Sequence, residues 1–158
     1  MSVSVIEDKL TGFRTSAEIE CLARNFESCL LPRARWTHHA HLTVALWYCL
    51  RHPWPEAVRR VRTGIKRYNE ASGIKTTPVS GYHETMTLFW LRIVRSYLET
   101  ASRECSLVAL FNGLVERYGN SRLPFEYYTR ERLMSAEARA GWIEPDVKSL
   151  DEEYRSWS

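Results

Sequence analysis

Apolar residues return three or four positions apart in five successive stretches, and each stretch is bracketed by capping or helix-breaking residues. This periodicity constrains the chain more than any other feature, because a 3.6-residue repeat cannot present one face of a strand. Ser16 precedes a stripe of Ile19, Leu22, Ala23 and Phe26, which predicts a helix over about 17–30, stopped by Pro32. Thr37 is the expected cap of a second helix, 38–51, halted by Pro53. That segment is apolar on nearly every side, which predicts a central position. Pro55 and Glu56 open a third helix with a stripe of Ala57, Val58, Val61, Ile65 and Tyr68, and Gly73 is its stop signal. A loop over 74–80 leads to a fourth helix, about 81–100, and a fifth is expected over about 104–118.

Beyond residue 120, Pro124, Gly141 and Pro145 divide the chain into shorter pieces, with Thr129 and Ser135 as candidate caps. Phe125, Tyr127, Tyr128, Leu133, Met134, Trp142 and Ile143 give these pieces enough apolar surface to pack back on the helices. The expectation is an all-α, single-domain bundle of about five main helices over residues 1–158. Residues 1–15 read as an irregular arm, with at most a short strand at Val3 and Val5, and 121–158 as a wrapped C-terminal segment. With 158 residues, 44% hydrophobic and 26% charged, the chain has the make-up of one ordinary globular domain. No apolar run reaches the ~18 residues that suggest a membrane span. The first residues lack the basic and apolar regions of a secretory leader, so a cytoplasmic location is expected.

A net charge of +3 calls for no nucleic-acid partner. Arg59, Arg60, Arg62, Lys66 and Arg67 are nonetheless close in sequence, and they read either as a solvated helix face or as a patch for phosphate or carboxylate groups. The four cysteines, Cys21, Cys29, Cys49 and Cys105, form no C-x-x-C pair and are expected to be buried thiols.

Three of the five histidines fall in Trp36-Thr37-His38-His39-Ala40-His41-Leu42. His38 and His41 are three apart, so on a helix both imidazoles share one face a turn apart. His39 is rotated about 100° away, and His52 lies ~16 Å further along the axis. A second group, Gly81-Tyr82-His83-Glu84-Thr85, opens the fourth predicted helix. Two or three imidazoles with one carboxylate suit a divalent transition metal such as iron, zinc or nickel. His38, His41, His83 and Glu84 are therefore the candidate metal ligands. Glu84 and Tyr82 are the candidate catalytic groups, and Tyr48 or Asp146 could orient the ligands.

The reading that follows is a metal-dependent enzyme acting on a small molecule, by hydrolysis or redox chemistry, with a mononuclear site between the second and fourth helices. The alternative is a metal-free binding or regulatory module, whose aromatic pocket is flanked by arginines that serve an anionic ligand. A metal-free site in which one histidine is a general base is a third possibility. Trp36, Trp47 and Trp90 are expected to line the core near either site. No phosphate loop, nucleophile elbow, H-E-x-x-H helix or dinucleotide loop is present. The two His-containing strings, with the segments 127–132 and 142–146, resemble a family of small bacterial helical proteins that share W-T-H-x-x-H-L and G-Y-H-E-T motifs. That resemblance covers most of the chain and implies no activity.

Overall fold

A computed structural model describes residues 12–150. The predicted irregular arm falls largely outside the described residues. Eight α-helices and one 3-10 turn make up the described chain, and five of the helices are long. They are α1 (Ser16–Glu27), α2 (His38–Arg51), α3 (Trp54–Ala71), α4 (Glu84–Thr100) and α5 (Leu107–Tyr118), followed by the short α6 (Pro124–Tyr127), α7 (Arg130–Leu133) and α8 (Ala136–Ala140). The all-α expectation holds, and no named strand occurs among the described residues. No described helix is long and apolar enough to cross a membrane.

Helix α2 is the centre, packing against α1, α3, α4 and α5. Its run from Leu42 to Tyr48 is buried on every side, which is what an apolar surface without a polar face requires. Phe26, Leu46, Tyr68, Phe89, Phe111 and Leu114 fill the space between the long helices. Each such side chain contributes about 1.5–3 kcal/mol when fully removed from water.

The helix ends differ from expectation in instructive ways. Thr15, not Ser16, caps α1 by accepting from the Glu18 N–H. The helix stops at Glu27, three residues early, because Cys29 takes a left-handed conformation with φ 60°. Helix α4 starts at Glu84 rather than near Gly81, since His83 is extended and serves as the cap. Helix α5 starts at Leu107 behind a Ser106 cap, leaving Glu104 in the preceding loop.

The C-terminal segment wraps back as expected. Thr129 and Ser135 cap α7 and α8, and α8 packs on α4. Tyr128 Oη donates to the Ile143 carbonyl at 2.7 Å, and the Val147 N–H donates to the Tyr127 carbonyl at 2.9 Å.

Candidate functional site

Thr37 fixes the start of α2 by accepting from the Ala40 N–H at 3.3 Å. With the helix anchored there, His38 and His41 emerge one turn apart on a single face, as the spacing predicts. His38 Nε2 lies 2.9 Å from the Tyr118 carbonyl, at the end of α5. A carbonyl only accepts, so Nε2 carries the proton and Nδ1 keeps its lone pair. The ring packs against Trp90 of α4, with centroids 4.4 Å apart. Burial lowers the His38 imidazole from its usual value, against the raising effect of the Tyr118 bond.

The His41 ring makes no hydrogen bond among the described residues, its backbone N–H alone donating to the Thr37 carbonyl at 3.0 Å. The ring meets the edge of Trp36 at 4.0 Å between centroids. Trp36 is itself stacked on Phe26 at 4.8 Å and tilted against Tyr68 at 5.1 Å. Tyr68 is locked in turn, donating to the Leu31 carbonyl at 2.8 Å. The wall beside His41 is thus rigid.

Two properties of His41 pull apart. Its surface is solvent-accessible, yet loss of surrounding water, helped by the nearby His38, pushes its imidazole down to about 4. The Trp36 indole covers one side of the ring. At neutral pH it is uncharged.

The second predicted group is built differently. His83 Nδ1 accepts from the Met86 N–H at 3.1 Å, and Nε2 lies 2.8 Å from the Leu133 carbonyl. One nitrogen must accept and the other must donate, so the neutral tautomer is fixed and both nitrogens are used. Burial first, and then the Arg139 charge, keep this imidazole below its usual value, outweighing the Leu133 bond.

Glu84 faces α3. Its carboxylate accepts from Arg62 Nε at 2.8 Å and from Tyr82 Oη at 2.7 Å. Burial alone would raise its carboxyl, but the Arg62 and Tyr82 hydrogen bonds and the Arg62 and Lys66 charges hold it below the ordinary range. Tyr82 is shifted upward, by burial and then by the carboxylate it serves. The Lys66 ammonium caps this cluster, 4.8 Å over the Tyr82 ring. Arg62 and Glu84 side chains keep 36% and 12% exposure, so the pair is sheltered rather than sealed.

The structure therefore keeps His38 and His41 a turn apart on α2, the first against Trp90 and the second against Trp36, and commits His83 and Glu84 to other partners. No group of three or more His, Cys, Asp or Glu side chains is placed to hold a metal ion among the described residues. The four ligands expected from sequence are not gathered at one centre among these residues. His83 has no free nitrogen, and Glu84 is neutralised by Arg62. Arg62 belongs to the stretch read from sequence either as a solvated face or as a patch for phosphate or carboxylate groups, and the carboxylate it meets is the protein's own Glu84. Arg62 lies four residues after Val58 and three before Ile65, on the edge of the buried stripe, and that register is the signal that could have singled it out.

The remaining candidates have structural duties. Tyr48 is buried and donates to Glu27 at 2.8 Å. Asp146 accepts from the Thr129 N–H and hydroxyl at 2.8 and 2.7 Å, closing the C-terminal segment. His52 packs along Tyr48. Of the three tryptophans, Trp36 and Trp90 reach the histidine face, while Trp47 is buried under Arg51. All four cysteines are free thiols, but the burial expectation fails for Cys21 and Cys105, which are exposed, and Cys29 and Cys49 are only half-buried. Burial pushes the Cys49 thiol up to about 11.

Comparison of the chain with models of known protein families, with curated proteins and with solved structures gave no significant match.

Proposed function

We propose that this protein binds a small molecule, without a metal, on the face formed by His38, His41, Trp36 and Trp90. The observation that carries the reading is His41, an accessible, uncharged imidazole whose ring has no hydrogen-bond partner among the described residues, set against a braced indole. An unpaired hydrogen-bonding ring beside aromatic surface suits a planar ligand that offers a donor or acceptor at its edge. Both imidazoles, lowered by burial, are neutral at pH 7 and so offer a ligand no charge. Binding is favoured over proton-transfer chemistry. An imidazole whose value is about 4 is a weak base at pH 7.

The test is a fragment screen with planar heterocycles, read by the His ring and Trp indole NMR signals. Binding should shift His41 and Trp36, and His41→Ala should weaken it about tenfold while leaving the helical spectrum intact. Identical binding by the variant would overturn the reading. So would a near-stoichiometric transition metal, found by elemental analysis of untagged protein and lost in a His38→Ala/His41→Ala variant.

A further inference from the structure

A cavity of about 620 Å³ opens where the start of α1, the start of α2 and the middle of α5 meet, lined by residues other than His38 and His41. Its outer wall is held in place by Asn112 of α5. Asn112 Oδ1 accepts the Phe13 N–H at 2.8 Å and Nδ2 donates to the Phe13 carbonyl at 2.8 Å. Gly12 fits only because it has no side chain; a Cβ there would overlap the Asn112 carboxamide. The Phe13 ring meets Phe111 edge-on at 6.4 Å. The entry segment is thus tied to a helix a hundred residues away, and the cavity is a built feature.

Its lining combines two kinds of surface. Phe13, Leu22 and Val115 are apolar, whereas Arg14, Arg35 and His39 are polar. The guanidinium groups of Arg14 and Arg35 have no ion pair or hydrogen bond among the described residues. Five other arginines, Arg24, Arg59, Arg60, Arg62 and Arg95, do meet carboxylates. One carboxylate lines the cavity, that of Glu18, and it accepts the Arg14 backbone N–H at 3.0 Å. Two guanidinium groups against one carboxylate leave the lining with an excess of positive charge.

We infer that this cavity binds a small organic phosphate, with Arg14 and Arg35 holding the phosphate and Phe13, Leu22 and Val115 taking the organic body. Guanidinium forks match phosphate oxygens in geometry and charge. The volume exceeds what an inorganic phosphate fills, and the apolar wall has use only for a ligand with a body. His39, one residue from the face discussed above, supplies a third polar contact. This inference stands on residues separate from the His41 reading, and either can fail alone.

The experiment uses the full chain and two probes, inorganic phosphate and phenyl phosphate, titrated at constant ionic strength and followed by backbone amide NMR. Phenyl phosphate should bind at least tenfold tighter than inorganic phosphate, with saturating shifts at residues 13, 39, 43 and 115. Arg14→Ala and Arg35→Ala should each weaken it tenfold or more, and Arg59→Ala should leave it unchanged. All three arginines are exposed, so the variants should keep their melting temperature. Three results would each overturn the proposal: no saturation up to 20 mM probe, shifts centred on the α3 arginines, or equal affinity in the Arg14 and Arg35 variants.

Discussion

His41 and His83 sit in similar sequence contexts and end in opposite states. One ring has neither nitrogen engaged among the described residues; the other has both engaged. Titration separates them. The His41 ring should protonate only near pH 4 in the folded protein, read from its carbon-bound proton shifts. A native value below the unfolded 6.5 means the unfolded chain takes up the proton first. The His41 contribution is therefore complete above about pH 6.5 and is lost as pH falls toward 4. His38 and His83, also lowered, act in the same direction. Stability measured by urea unfolding should decline across that window, and His41→Asn should flatten the decline. His83→Ala should cost about 1–3 kcal/mol, because it removes a helix cap and leaves the Leu133 carbonyl without its donor. The residue-level pattern was legible for the i, i+3 pair, since helical spacing decides which rings share a face. It was not legible for His83 and Glu84. Their partners, Leu133 and Arg62, lie 50 and 22 positions away, and no local pattern announces a contact of that range.

At the scale of elements, the apolar periodicity located all five long helices, and α2 ended where the Thr37 cap and Pro53 said it would. The errors lay at boundaries where a side chain outside the apolar stripe decides the outcome. Extended His83 replaced an expected first turn, and left-handed Cys29 ended α1 early. Cys29→Gly should stabilise the protein by up to ~1 kcal/mol, because glycine adopts positive φ without the Cβ penalty; a thermal melt checks it. The tie between Phe13 and α5 was invisible in sequence, because a carboxamide that mimics a strand partner looks like any surface asparagine. Asn112→Ala should release the entry segment, and hydrogen exchange at the Phe13 amide should rise while the α2 amides stay protected.

For the whole molecule, α2 is the axle and the C-terminal segment is the clasp. The clasp closes on the start of α4 through four separate contacts. Leu133 meets His83, the Thr85 hydroxyl donates to the Gly141 carbonyl at 2.8 Å, the Ile143 N–H reaches Thr85 at 3.3 Å, and Arg139 donates to the Gly81 carbonyl at 2.9 Å. That arrangement has a consequence for how the chain is made. During synthesis the four long helices α1 to α4 are made before any of residues 133–143 exist. The first turn of α4 must then wait, its His83 cap without the Leu133 carbonyl and Thr85 unanswered, until residues 133–143 have emerged. A nascent chain arrested after α5 should hold its central helices yet remain open to proteases near residue 83, and extending it past residue 143 should close that window in a single step.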